Sequence, residues 1–514
     1  MTCRRSLFAS LLSGIVCFFV VACGDDDRPE KAGLGESCGK NSECSEGLEC
    51  TEGEEDSVCT YALGGDCQPE LDNGGCSSEA VCAELTAGGN RCFHPVLLRG
   101  AVHDTSNAAG IEGAHIIAID DEGVAVTDVA ASEEEGSYLL EIPVLRDEDG
   151  TPEDSSVRLD AAAQDYQSFP SGIRVALPIS TTEAFLEDGA YVIENALTQV
   201  GLISLESASR TVVSGSIGDS PEGDGAFAGV LVVVSGDAGA FSAITDRSGQ
   251  YTVFNVPAGS FEVRGYAVGL QLDPQTVTVS EEPVTDVVLY ERGDPTTTLS
   301  GNVQIVNAPG GSETSVILVV EDTFNASAAT GEVPRGLRAP SSGPPDVTGD
   351  FTIEGVPDGR YVVLAAYEND YLVRDPDTNI AGTDFVFVEI DAASETAKVL
   401  NDSFKVTEAL EVFGPGADGP DQVAEAPVLR WADDSSEDYY EVRVFDALGN
   451  EVWTALDVPG VSGSAEVSVP YEGPLEPGMY YQFRVTSWRQ PGNGEAAPIS
   501  ATEDLRGVFY SPAE

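Results

Sequence analysis

The chain has 514 residues, with 88 acids against 25 bases and a net charge of −63; nucleic acid and anionic membrane surfaces are repelled by such a surface. The length exceeds what one core supports. The 55 glycines and 29 prolines, scattered among apolar runs, exclude a long disordered chain and fit short strands with frequent turns.

The amino terminus reads as a targeting segment. Arg4 and Arg5 precede an apolar run from Leu7 to Val21, and Val20-Val21-Ala22 leads into Cys23. The run is short for a membrane span and ends on small residues, as processed signals do. It resembles the lipobox of bacterial lipoproteins, which implies that residues 1–22 are removed and that Cys23 carries the lipid. That resemblance places the chain in the cell envelope, held to a membrane by its lipid. Gly24 stands where the enteric retention rule looks for Asp, which points to the outer membrane and a surface-exposed protein. Removing residues 1–22 takes away two arginines and no acid, leaving a charge of about −65. Acids spread along the whole chain suit a solvated surface better than a cation site. Residues 23–36, with Gly24-Asp25-Asp26-Asp27 and no apolar period, read as a tether.

Residues 37–93 contain eight cysteines, and none follows Cys92. In an exported chain this predicts a disulfide framework. Leu34-Gly35 introduces Cys38, Cys44, Cys50 and Cys59; Leu63-Gly64 introduces Cys67, Cys76, Cys82 and Cys92. Each group of four allows three pairings, and spacing does not choose among them. The groups resemble small EGF-like or Dickkopf-like modules. Zinc fits poorly, because no Cys-x2-Cys pair occurs.

From Leu98 a β pattern repeats. Three segments open with Φ-x-Gly-x-Φ, at Leu98-Arg99-Gly100-Ala101-Val102, Val213-Ser214-Gly215-Ser216-Ile217 and Leu299-Ser300-Gly301-Asn302-Val303. A second apolar strand follows in each: His115 to Ile119, Val230 to Val234, and Val316 to Val320. Then comes Asp246-x-x-Gly249-x-Tyr251-x4-Val256-Pro257-x-Gly259-x-Phe261, which returns as Asp346-x-x-Gly349-x-Phe351-x4-Val356-Pro357-x-Gly359-x-Tyr361. A looser copy is Glu133-x-x-Gly136-x-Tyr138-x3-Ile142-Pro143, followed by an insertion around Arg146 to Ser156. The acid and glycine make a turn, and Pro-x-Gly closes the strand. The predicted fold class is all-β: tandem β-sandwich domains after a small disulfide-rich N-terminal region.

This order of motifs resembles carboxypeptidase regulatory-like domains, whose fold is a transthyretin-like sandwich within the carbohydrate-binding-like group. The resemblance implies three copies, at 96–208, 209–293 and 296–408, and brings no catalytic residue. Residues 409–512 differ. Pro427-x-Leu429-x-Trp431, Tyr440-x-Val442-x-Val444 and Leu475-x-Pro477-Gly478-x-x-Tyr481 resemble a fibronectin type III domain, with Tyr481 at the tyrosine corner.

No catalytic motif is legible. After the signal only His94, His103 and His115 remain, and Gly-x-Ser-x-Gly and His-Glu-x-x-His are missing. No cofactor is expected except calcium. Asp375-x-Asp377-x-Asn379 alternates like an oxygen-ligand loop, although Val386 stands where an EF-hand has its glutamate; Asp147-Glu148-Asp149 is a second such loop. The leading functional expectation is a non-catalytic, surface-anchored lipoprotein for adhesion, ligand presentation or envelope scaffolding, with cell-surface protein or polysaccharide as partner. A polysaccharide-capturing module is the alternative, and Tyr266, Tyr367 and Tyr371 are its aromatic candidates. A cryptic hydrolase using His103 and His115 is the third.

Overall fold

The computed structural model describes residues 31–512 except 53–55, 70, 121, 172–175, 207, 219–225, 307–313, 327–330, 343–346, 367–384, 401–403, 408, 418, 435–436, 462–464, 491–495 and 503–505. The architecture is all-β. Among the described residues no helix is long and apolar enough to cross a membrane.

Each cysteine module is a hairpin stapled twice. Leu48–Glu52 pairs with Ser57–Tyr61, and Val81–Glu84 with Asn90–Phe93. The bonds are Cys38–Cys50 and Cys44–Cys59, then Cys67–Cys82 and Cys76–Cys92. The first cysteine joins the third and the second joins the fourth in both modules, a choice among three that spacing left open. Segments this small bury little apolar surface, so covalent closure supplies what a core cannot.

Three sandwiches follow one plan. In the first, Val96–Asp104 lies at the centre of its sheet with alternate residues buried. It pairs antiparallel with Ser137–Ile142 and parallel with Ala190–Ile193 and Gln199–Ser204. The facing sheet holds His115–Ile119 between Ser156–Ala162 and Ala130–Ala131. In the second, Arg210–Ile217 lies between Gln250–Pro257 and the parallel Val284–Leu289, facing Gly239–Ile244, Leu231–Gly236, Gly259–Tyr266 and Gln275–Val279. In the third, Thr297–Val306 lies between Asp350–Val356 and the parallel Ala397–Val399, facing Arg338–Ala339, Ser315–Val320, Gly359–Ala366 and Val386–Ile390. The parallel closing strand is common to all three and was not anticipated, because parallel pairing joins ends far apart in sequence and leaves no hairpin turn to read.

The two glycine motifs prove to be halves of one device. Gly100 lies opposite Tyr138, Gly215 opposite Tyr251, and Gly301 opposite Phe351. A Cβ at Gly100 would collide with Thr198 O, in the turn just before the parallel strand, and one at Gly215 with Val287 O within it. The bare backbone lets that carbonyl approach, and the tyrosine hydroxyl donates to it: Tyr138 Oη to Thr198 O at 2.8 Å and Tyr251 Oη to Val287 O at 2.8 Å. A buried carbonyl is thereby satisfied where the sheet closes.

The apolar run Val230 to Val234 is buried on both sides. Val232 and Val234 belong to the second core. Leu231 and Val233 point outward and, with Tyr266, join the core of the third sandwich.

The last sandwich stacks Val412–Gly414, Val428–Ala432 and Glu466–Pro470 on a sheet built around Tyr439–Asp446 and Tyr480–Arg489. Trp431, Tyr440, Tyr481, Phe483 and Phe509 fill it. Tyr481 Oη accepts the Glu476 N–H at 2.8 Å, tying the turn to the strand.

Candidate functional site

The three sandwiches dock directly on one another, and the repeat's extra residue makes the contact. Tyr251-x4-Val256 is one residue longer than Tyr138-x3-Ile142. The surplus forms a β-bulge: the pairing skips between Thr211 and Val213, and between Thr297 and Leu299 in the third sandwich. The bulged residues, Asn255 and Gly355, have left-handed backbones, φ 63° and 70°. Asn255 Nδ2 donates to Ala163 O (3.0 Å) and Tyr166 O (2.8 Å), and its Oδ1 accepts the Asp165 N–H at 2.6 Å. Gly355 O accepts the Gly269 N–H at 2.7 Å. Each bulge therefore meets the loop that follows the corresponding strand of the sandwich before it.

The joint between the second and third sandwiches carries an ionic latch. Asp358, the variable residue of Val-Pro-x-Gly, receives Ala392 N at 2.8 Å, Gln271 Nε2 at 3.2 Å and Arg292 Nη2 at 3.1 Å. Burial pushes its carboxyl up, but the Ala392 N–H, Gln271 and Arg292 outweigh it and hold the group below the ordinary range. An open crevice of about 450 Å³ lies beside this latch, lined by Arg264, Arg292 and Arg360 among the carboxylates of Glu262, Asp322 and Glu389. Arg264 pairs with Glu262 and Arg360 with Glu321.

All three sandwiches meet at a smaller crevice of about 100 Å³, room for a few water molecules. The first supplies His115 and Asp160, the second Leu231, Ser242 and Phe254, the third Glu332. His115 and Asp160 stand on the outer face of their sheet because Ile116, Leu159 and Ala161 turn into the core. Phe254 packs edge-on against the imidazole, centroids 5.0 Å apart, and Ser242 Oγ donates to Glu332 Oε1 at 3.0 Å. Loss of water pushes Asp160 up to about 7, with Glu332 adding to it. Burial also raises Glu332 and lowers His115. This is a desolvated joint with two carboxyls that resist ionising together.

The second cysteine module is fixed to the first sandwich by the insertion noted in the sequence. Arg146 is buried, donating from Nη1 to Gly150 O (2.8 Å) and from Nη2 to His94 O (2.6 Å). Its guanidinium lies over Phe93 at 5.2 Å, and its main chain pairs with Glu84 and Thr86. Burial lowers its pKa.

The anticipated residues are dispersed. His94 Nδ1 contacts Glu79 O at 2.9 Å. His103, which burial shifts downward despite Asp104 and Asp446, lies on another strand from His115, and neither forms a nucleophile–base pair with a described serine. Asp147 Oδ1 accepts the Asp149 and Thr151 N–H groups, closing its own turn. Tyr266 does not stand on an exposed face: it is buried edge-on to Tyr361, because the third sandwich covers that sheet. Cys23, Asp375, Asp377, Asn379, Tyr367 and Tyr371 lie outside the described residues. Asn255, Gly355, Asp358 and Arg146 were not anticipated; the one-residue difference between repeat copies was the available signal for the first two.

No protein-family model matches the chain, and no curated protein matches it. Among solved structures, the Bacillus anthracis TIE protein aligns over 79% of this chain and 68% of its own at 12% identity, TM-score 0.14. The shaft pilin SpaA from Lactobacillus rhamnosus GG aligns over 38% of this chain and 97% of its own at 10% identity, TM-score 0.15. The major pilin subunit of Bacillus cereus aligns over 60% and 98% at 11% identity, TM-score 0.16. Superpositions at such scores carry no argument about this chain.

Proposed function

We propose that this chain is a non-catalytic scaffold of the cell envelope, anchored by lipid at Cys23 and built from two stapled modules, three regulatory-like sandwiches and a fibronectin type III-like sandwich. One observation carries the reading: the residues that distinguish the repeats are spent on joining domains. Asn255, Gly355 and Asp358 all bond to the preceding sandwich, and the tyrosines of the signature close their own sheets. A chain whose repeated motifs lock domain to domain transmits position and force rather than performing a reaction. The acidic surface keeps it soluble and free of its anionic surroundings.

Two measurements test this. Labelled fatty acid should be incorporated by the wild-type chain and lost in Cys23→Ser, which should release the protein from the membrane fraction; equal labelling of both removes the anchor. Distances between fluorophores on the first and third sandwiches of the full chain should be single and narrow. A broad distribution would defeat the scaffold reading.

A further inference from the structure

The outer face of the last sandwich carries a row of rings that takes no part in any joint described above. Tyr439 and Trp488 are direct cross-strand partners; Pro459 lies opposite Tyr439 on one side and Pro498 opposite Trp488 on the other. The row therefore crosses four strands. Its neighbours Tyr440 and Ser487 point inward and are buried, so strand alternation turns Tyr439 and Trp488 outward. Both are partly exposed, and Pro459 is exposed. The two aromatic rings are parallel within 3°, with centroids 6.3 Å apart. That separation exceeds a face-to-face contact, so the rings are displaced sideways and leave ring face uncovered. Trp488 Nε1 is buried, with less than 1 Å² exposed and no hydrogen-bond partner, which means the exposed part of this side chain is carbon.

The rim is polar and rich in carboxylates, one of which, Glu441, pairs with Arg443 at 3.6 Å. Asp438 precedes the tyrosine, Glu441 follows it on the same face opposite Thr486, and Asp457 lies nearby. Behind loss of water as the larger cause, Glu441, Asp457 and Asp438 raise the Tyr439 phenol pKa. The platform is held stiffly: Asp438 N donates to Trp488 O at 2.7 Å, and Asp438 Oδ2 accepts the Gln490 N–H at 2.6 Å.

We infer that this ring row is a binding platform for a neutral polysaccharide, whose sugar rings stack on Tyr439 and Trp488 while their hydroxyls donate to the rim carboxylates. Each feature selects that partner. A sugar ring offers a C–H face to the aromatic surface and hydroxyl donors around its edge, matching rings bordered by acceptors. A proline-rich peptide would also stack on rings, but its backbone carbonyls need donors, and Arg443 beside this rim is already paired with Glu441 at 3.6 Å and Glu451 at 3.0 Å. Anionic glycans are repelled by a chain of net charge −63. The inference stands independently of the scaffold reading.

The test is retardation of the full chain in gels containing neutral glucan, mannan or galactan, with anionic alginate and a polyproline peptide as comparisons. At least one neutral polysaccharide should retard the wild type, and Trp488→Ala and Tyr439→Ala should each weaken binding by about tenfold or more. Trp488→Phe should keep part of it, as a ring remains. In the unsubstituted chain the bound glycan should slow oxidation of Trp488 relative to Trp453, a readout that needs no variant to fold. The inference is overturned if no neutral polysaccharide retards the chain, if folded Trp488→Ala binds as tightly as wild type, if Trp488 is not protected, or if alginate or the polyproline peptide binds in place of the neutral glycans.

Discussion

Asn255 and Gly355 hold the same position in two successive repeats, share a left-handed backbone, and each bond to the sandwich before their own. The first sandwich follows the disulfide modules instead of another sandwich, and its copy of the motif lacks the extra residue. A bulge present only where there is a preceding sandwich to meet is a joint, not an accident of pairing.

Asn255→Ala should loosen the first joint. It removes three hydrogen bonds and places alanine at a positive φ, together about 2–4 kcal/mol. Asn255→Gly keeps the backbone and should cost less. Gly355→Ala should open the second joint, because its Cβ would stand 2.8 Å from Gly269 N. Interdomain fluorescence distances and urea midpoints would show each; unchanged values in Asn255→Ala would refute the joint.

Arg146→Ala should free the second cysteine module from the first sandwich. It strips partners from Gly150 O and His94 O and removes the contact with Phe93, about 2–4 kcal/mol in all. Hydrogen exchange should rise in residues 84–94 and 145–153 while the last sandwich is unaffected. Protection as in wild type would contradict this role.

The two acidic joints should respond to pH in opposite ways. Asp160 titrates near 7 when folded against 3.8 when unfolded, so the folded state holds the proton more firmly. Stability should fall as pH rises from about 4 to about 7, and Glu332 acts in the same sense. His115, lowered from 6.5, opposes them by losing stability as pH falls below that value. The difference between wild type and Asp160→Asn isolates the carboxyl: the variant should gain most above pH 7, and a melting temperature difference independent of pH would sink the assignment.

Asp358 works the other way. Its folded pKa lies below 3.8, so its contribution is present above 3.8 and is lost as pH falls through the lower folded value. Asp358→Asn should weaken the second joint at neutral pH and make no difference in strong acid. The interdomain distance between the second and third sandwiches reports it.

Tyr481→Phe should destabilise the last sandwich by about 1 kcal/mol, since it leaves the Glu476 N–H without its acceptor. Thermal melts followed by tryptophan emission would register it, since all three tryptophans lie in this sandwich, and an unchanged midpoint would show that water replaces the hydroxyl.

Much of the architecture was local enough to be written in the chain. Strand alternation in Val96–Asp104, the acid–glycine turns and Pro-x-Gly endings each depend on residues a few positions apart, so spacing determined an all-β repeat. The tertiary structure decided what depends on distant partners. Cysteine pairing depends on which sulfurs the hairpins bring together. The parallel closing strands, the burial of Tyr266 and the desolvation of Asp160 all arise from surfaces brought together across tens to hundreds of residues, and no local pattern encodes which face another sandwich will cover. The same cause set the platform of Tyr439 and Trp488 apart. Their outward direction follows from alternation, but their adjacency came only from the pairing of two strands that lie far apart in the chain.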